Sequence, residues 1–307
     1  MRLVFMGTPD FALTALRAIC EAGHDVALVV SQPDKPRGRG YRLTPSPVKK
    51  YAVDKGIEVI TPATLRDGIA AGKLKSVGAD VFIVAAYGKI LPPDILSIPP
   101  LGCVNIHASL LPAHRGAAPI NRAVIEGDTV GGITVMYMDA GMDTGDIIAQ
   151  RSIPIPPDMT AGEYHDSLAE LGGEMITEYL SAAEKGPVPR TPQPSEGVTY
   201  SPKIDKAETR ADFTRSGAEV CNLIRGLSPY PAAYTVFRGK RIKLLRAHPG
   251  TGSGKPGTVI SLSDGIEIAC GTGSAVVTSL QPEGKGVTDY ASYLRGNACK
   301  TGDLFGG

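Results

Sequence analysis

LVFMGTPDFALTALRAICEAGHDVALVVS, residues 3–31, decides the fold. The apolar run LVFM (3–6) reads as a strand, GTPD breaks it, and FALTALRAICEAG reads as a helix closed by Gly23. VALVVS (26–31) then reads as a second strand, so the unit is strand, helix, strand. Further strands are expected at IEVI (57–60), VFIVAAY (81–87), CVNIH (103–107), ITVMYM (133–138) and DIIAQRSIPI (146–155). Helices are expected near 47–55, weakly between 60 and 81, and over 160–183, where Thr160 and Glu163 spell a capping box. ALVV and VFIVAAY are continuous rather than alternating, as in strands covered on both faces. The pattern predicts an α/β chain with a doubly wound, mostly parallel sheet.

The pattern changes after EKGPVPRTPQPSEGVT (184–199), whose prolines at 187, 189, 192 and 194 favour an extended, semi-rigid connector. Beyond it lie a helical stretch (216–226) and short β-type runs, AAYTVF, KRIKLLRA, GTVISL, GIEIAC and AVVTSL. Turn residues separate these runs, which reads as a small antiparallel barrel or sandwich. The expected division is a first domain over 1–185, a connector over 186–203 and a second domain over 204–307.

Composition excludes several classes. The chain has 307 residues, enough for a sizeable core without disulfides or metal, and with no Trp that core must be largely aliphatic. No apolar run approaches the roughly 20 residues of a membrane span, so no membrane partner is expected. MRLVFMGTPDF meets Gly, Pro and Asp too early for a signal peptide. Cys20, Cys103, Cys221, Cys270 and Cys299 form no CxxC and no regular framework, which fits reduced thiols in a cytoplasm. The absence of an obvious interface stripe makes a monomer the expectation.

The net charge is +1, from 32 basic and 31 acidic side chains, but its distribution is uneven. Residues 200–307 carry a net +5 and residues 1–199 a net −4. QPDKPRGRGYRLTPSPVKK (32–50) holds Lys35, Arg37, Arg39, Arg42, Lys49 and Lys50 against Asp34 alone. In RGKRIKLLR (238–246) five of nine residues are basic. The first reads as a loop made mobile by Gly38 and Gly40 and suited to a phosphate backbone, though a merely solvated loop has the same composition. Two basic surfaces on two domains fit an anionic clamp.

Ligands of open parallel sheets bind outside the carboxyl ends of the strands. Asn105 and His107 alternate with Ile106 at such an end, and Asp143 lies in the loop MDAGMDTGD (138–146) after another strand. An amide, an imidazole and a carboxylate together polarise a carbonyl and move a proton. The alternative is that Asn105 and His107 only satisfy backbone groups at a strand end. Cys103, His107 and His114 lack metal-site spacing, so no metal is expected. GTPD is not a dinucleotide-binding GxGxxG, and no GxSxG hydrolase elbow occurs.

NIHASLLPAHRGAAPI (105–120) followed by MDAGMDTGD resembles the signature of the folate-dependent formyltransferases. FMGTPDFA, the 32–50 loop, VAAYGKILP (84–92) and SLQPEGKG (279–286) resemble the branch of that family that acts on initiator tRNA, and the likeness runs through nearly the whole chain. The resemblance implies a Rossmann-like catalytic domain with an OB-like β-barrel, and formyl transfer from 10-formyltetrahydrofolate to the amino group of methionine on initiator Met-tRNA. It implies that Asn105 and His107 bond the formyl oxygen as it gains charge, while Asp143 orients His107 and passes protons. It implies folate contacts from Ser109, Leu110, Leu111 and Pro112, with Tyr87, Gly88 and Ile90 forming a wall around the pterin. Arg39 falls in the implied tRNA-reading loop with Lys35, Arg37 and Arg42. Phe213 and Tyr230 stand where the family often has Trp. Two rival readings fit parts of the same pattern: a relative that formylates an amino-sugar nucleotide, and a non-catalytic RNA-binding protein on the same scaffold.

Overall fold

A computed structural model describes residues 1–37 and 42–306. Arg39 lies outside the described residues. Grouped by contacts, the chain forms two units. The first comprises Met1–Ala117, Gly132–Ile153 and His165–Tyr200, and the second comprises Ala118–Gly131, Pro154–Tyr164 and Ser201–Gly307.

In the order of the chain, the first half contains β1 (Arg2–Gly7), α1 (Asp10–Glu21), β2 (Asp25–Val30), β3 (Lys35–Arg37), β4 (Arg42–Thr44), α2 (Pro47–Asp54), β5 (Val59–Ile60) and α3 (Ile69–Val77). It continues through β6 (Val81–Ala85), α4 (Pro93–Leu96), β7 (Cys103–His107), α5 (Pro119–Glu126), β8 (Val130–Tyr137), β9 (Ile147–Pro154) and α6 (Ala161–Ala183). Seven strands form one sheet in the order β5-β2-β1-β6-β7-β8-β9. From β5 to β7 all neighbours are parallel, and β8 returns antiparallel to β7.

The expected doubly wound sheet is therefore present. The chain runs from β1 outwards to β2 and β5, then crosses back to β6 and β7 on the other side of β1. The carboxyl ends beside this reversal are the rim where ligands of such sheets bind. One face of the sheet packs Val4, Met6, Leu28, Val30, Phe82 and Val84 against Leu74, Leu91 and Ile95. Across the other face lie α1 and α6. Gly172 and Gly173, in the middle of α6, set that packing. A Cβ on Gly172 would lie 2.9 Å from Ile106 Cγ2, and one on Gly173 would lie 3.2 Å from Ala18 Cβ. The roughly 1 kcal/mol that glycine costs inside a helix is offset by this close approach to β7 and α1.

The basic loop differs from the open loop expected. Its base is a two-stranded hairpin, β3 with β4, in which Lys35 faces Thr44 and Pro36 faces Leu43. Too few residues pair for any alternation to be visible in sequence. Lys49 lies outside the hairpin on α2, and its Nζ bonds both carboxylate oxygens of Asp34 at 2.8 and 2.9 Å. The Asp34 carboxylate thus takes up one of the six basic side chains. Ser46 caps α2 by accepting the Lys49 N–H at 3.0 Å, with Pro47 opening the helix.

The second unit contains α7 (Gly217–Gly226), β10 (Ala233–Phe237), β11 (Lys240–Gly250), β12 (Val259–Ser261), β13 (Ile266–Ala269), β14 (Ser274–Pro282), β15 (Thr288–Asp289) and α8 (Tyr290–Gly296). Its antiparallel sheet runs β10-β11-β14-β13-β12, with β15 on β14. The two outer strands of that order are joined by a segment no sequence pattern announced. Leu304 bridges Thr258 just before β12, and Phe305 bridges Phe237 of β10. Phe305 N–H donates to Gly257 O and Gly306 N–H to Val236 O, each at 2.8 Å. The rings of Phe305 and Phe237 stack 4.4 Å apart. Residues 302–306 thus satisfy both strand edges and curl the sheet towards a barrel. We predict that Phe305→Ala, which empties a site 3% exposed, destabilises the second unit by about 3–5 kcal/mol in urea unfolding of the full chain; an unchanged midpoint would show that backbone pairing alone closes it.

Candidate active site

Asn105 and His107 stand on β7, two residues apart and so on the same side of the sheet. The Asn105 side chain is half-buried and bonds none of the described residues. His107 is buried, with its Nε2 3.0 Å from the carbonyl oxygen of His114. A carbonyl only accepts, so Nε2 carries the hydrogen and Nδ1 is the nitrogen left for proton exchange. Asp143 Oδ1 lies 3.6 Å from that Nδ1, and its Oδ2 accepts the Gly116 N–H at 2.8 Å. The structure therefore brings the expected trio together, with one difference: the His114 carbonyl aims the ring, and Asp143 faces its free nitrogen across a gap that a direct hydrogen bond does not span.

Both loops that supply these partners have unusual backbone. His114 and Asp143 adopt positive φ, at 57° and 54°, a region that costs a non-glycine residue on the order of 1–2 kcal/mol. Tertiary bonds hold both. His114 N–H donates to Thr199 Oγ1 at 2.8 Å, and the neighbouring Arg115 N–H donates to Thr199 O at 2.9 Å. Gln193 Nε2 donates to the carbonyls of Asp143 and Gly145, each at 2.8 Å.

The segment Ser109–Pro112 leaves β7 and folds back against β8 and β9. Thr134 Oγ1 donates to Ser109 O at 2.6 Å and accepts from Leu111 N–H at 3.0 Å and Gln150 Nε2 at 2.9 Å. Gln150 Nε2 also reaches Leu111 O, and Ser109 Oγ donates to Ala113 O at 2.6 Å. Ser109 and Leu111 are buried, while Leu110 and Pro112 keep partial exposure. Gly132 admits the segment, since a Cβ there would lie 2.7 Å from Leu110 Cδ2 and 2.2 Å from Arg151 O.

After β6, Tyr87, Gly88 and Ile90 divide. Ile90 is 72% exposed, and Gly88 turns the chain at φ 82°. The Tyr87 ring departs from the expected pterin wall, because it is 2% exposed and sits in the core beside Leu91 and Ile95. Burial pushes its hydroxyl up to about 12. What Tyr87 presents at the rim is backbone: its carbonyl accepts from Thr8 Oγ1 at 3.2 Å and Gln32 Nε2 at 3.1 Å, tying the ends of β1, β2 and β6. Of the tRNA-reading candidates, Lys35 is exposed, and Arg37 and Arg42 pair with each other where β3 ends and β4 begins.

Cys103 does not join the histidines in a metal-like set. It is buried, with Sγ towards Leu96 O, and burial pushes its thiol up to about 12. Among the described residues no group of three His, Cys, Asp or Glu side chains is arranged to hold a metal ion. Sequence reasoning missed Thr134, Gln150, Gly116 and Gln193, whose partners lie far along the chain.

An uncommitted amide, an imidazole with one free nitrogen and an adjacent carboxylate, all at the rim of an open α/β sheet, are the equipment of group transfer between two bound substrates. Residues 1–180 match the formyl transferase family and residues 203–298 its C-terminal domain, and the chain belongs to the formyl transferase family. A protein of Dechloromonas aromatica named methionyl-tRNA formyltransferase is 47% identical over 306 residues, covering 99% of each chain. Its namesake in Paracoccus denitrificans is 49% identical over 298 residues, covering 97% of this chain and 98% of that one. Among solved structures, a Helicobacter canadensis N-formyltransferase in complex with folinic acid and dTDP-3-aminofucose aligns with a TM-score of 0.69 at 17% identity, covering 90% and 97%. The methionyl-tRNA formyltransferase of Clostridium thermocellum aligns at 0.58 and 18%, covering 82% and 95%. These two likenesses speak for the fold alone.

We predict that His107→Ala and Asp143→Asn each lower formyl transfer at least a hundredfold, about 2.7 kcal/mol of barrier, with unchanged circular dichroism. Turnover within tenfold of the parent in either variant would remove that residue from the chemistry.

Proposed function

We propose that the protein transfers the formyl group of 10-formyltetrahydrofolate to the α-amino group of methionine on initiator Met-tRNA, giving N-formylmethionyl-tRNA for translation initiation. The observation that carries this reading is the end-to-end likeness, at 47–49% identity, to proteins named methionyl-tRNA formyltransferase. Fold cannot make the choice, since the solved sugar formyltransferase aligns at a higher TM-score than the solved tRNA enzyme. Charge adds to it, because a sugar nucleotide has little use for the 32–50 basic stretch or a second domain of net +5.

The amine of the acceptor is itself the nucleophile, so the protein's task is proximity, stabilisation of developing charge and a proton route. Ser109–Pro112, held from below by Thr134 and Gln150, with Gly88 and Ile90 across the rim, bind the folate. The Asn105 amide donates to the formyl oxygen as it becomes negative, a contribution of roughly 3–4 kcal/mol. His107, whose Nε2–H is spent on the His114 carbonyl, adds positive charge beside that oxygen when a proton occupies Nδ1, and Asp143 balances that charge. As the new carbon–nitrogen bond forms and the old one breaks, Asp143 and His107 carry the proton lost by the attacking amine towards the departing folate nitrogen. Holding both substrates in line removes several further kcal/mol.

Residues 1–185 carry this chemistry, residues 204–307 support the tRNA, and residues 186–203 connect them. Lys35, Arg37, Arg39 and Arg42 contact the phosphates near the acceptor end. The enzyme acts as a monomer in the cytoplasm, and no helix among the described residues is long and apolar enough to cross a membrane.

The test is an assay with initiator Met-tRNA, 10-formyltetrahydrofolate and an amino-sugar nucleotide as competing acceptor. We predict formyl-methionyl-tRNA as the product, and a KM for tRNA that rises with salt on a log–log slope of at least about 3, from neutralisation of several phosphates. Arg39→Ala should raise the KM for Met-tRNA and reduce that slope by about 1, leaving the KM for the folate unchanged. Faster formylation of the sugar amine, or a flat salt response, would overturn the assignment of the acceptor.

A further inference from the structure

Gln193 lies in the proline-rich connector, half-buried where its neighbours Pro192 and Pro194 are exposed. Its amide is fully used. Oε1 accepts from Arg115 Nε at 3.2 Å and Nη2 at 2.6 Å. Nε2 donates to Asp143 O and Gly145 O, each at 2.8 Å. A primary amide offers two N–H donors and one oxygen with two lone pairs, so the whole capacity is met. The partners also fix which end is which, with a guanidinium on one side and two carbonyls on the other. Glutamate lacks the donors, and lysine lacks the acceptor.

These bonds close a ring around the carboxylate of Asp143. Gln193 grips the Asp143 carbonyl, Asp143 Oδ2 accepts the Gly116 N–H, Gly116 follows Arg115 in the chain, and the Arg115 guanidinium returns to Gln193. The ring is braced on both sides. Thr191 and Ile147 exchange two backbone bonds of 2.8 Å just beyond the loop, and Thr199 holds His114 and Arg115. Inside the ring is a residue at positive φ, which persists only where its surroundings over-determine it. The Asp143–Gly145 turn also has no slack, since a Cβ on Gly145 would lie 2.0 Å from Tyr137 O.

We propose that Gln193 is a positioning residue for formyl transfer: the connector, through this one amide, holds the Asp143 carboxylate opposite His107 Nδ1. The proposal rests on the role given to Asp143 above. It makes the connector a working part of the catalytic domain as well as a spacer.

The test uses the full-length protein with Gln193→Leu, which keeps the bulk and removes all four bonds. Expected are a fall in kcat of at least tenfold, KM values for both substrates within about twofold, and hydrogen exchange at the Gly116 amide faster by at least tenfold. In an Asp143→Asn background the same substitution should cost less than a further threefold, because its effect runs through that carboxylate. Unchanged kcat, a rise in both KM values without loss of kcat, full additivity with Asp143→Asn, or unchanged Gly116 exchange would each overturn the proposal. If Gln193→Leu fails to fold, Gln193→Lys, which keeps donors for the two carbonyls, should outpace Gln193→Glu by at least fivefold; equal rates would reject it. A parent enzyme inactive on Met-tRNA would reject the acceptor assigned above and leave the Gly116 exchange measurement to decide this inference separately.

Discussion

One buried hydroxyl holds the rim of the sheet together. Thr134 Oγ1, with no exposure, gives its single proton to Ser109 O and accepts from Leu111 N–H and Gln150 Nε2. A hydroxyl has one donor and two acceptor positions, and all three are filled. Through it the chain leaving β7 is pinned to β8 and β9, which fixes where the loop goes next. That loop then presents the His114 carbonyl to His107 and the Gly116 N–H to Asp143. The geometry of the candidate site is therefore a consequence of backbone groups placed by a buried side chain, more than of contacts among Asn105, His107 and Asp143 themselves.

The same division of labour appears in the backbone strain. His114 and Asp143 both occupy the left-handed region, and neither is a glycine. Local preference would relax them. Thr199, which accepts the His114 N–H, and Gln193, which donates to the Asp143 carbonyl, oppose that relaxation from a connector rich in proline. Proline suits this segment because it stays extended without internal bonds, leaving side chains and carbonyls free to strap the loops beneath.

Charge also reads differently in three dimensions. Asp34 takes up Lys49, Glu163 pairs with Arg246 and Asp303 with Arg238. Arg241 lies over the Tyr234 ring at 3.6 Å. A count of basic residues therefore overstates the free positive surface, to which the exposed Lys35, Lys50 and Lys240 contribute.

The sequence by itself determined the parallel sheet, the place of Asn105, His107 and Asp143 at its rim, the capped helix α6 and the extended connector. These depend on period, capping and proline content, which act over a few residues. Only the tertiary structure decided which nitrogen of His107 is free, that the Tyr87 ring belongs to the core, that residues 302–306 close the second sheet, and that Thr134, Gln150 and Gln193 hold the site. Gln193 lies 50 residues from Asp143 and 78 from Arg115. Nothing local distinguishes it from any other glutamine in a polar loop; its role comes from partners that only folding brings within reach.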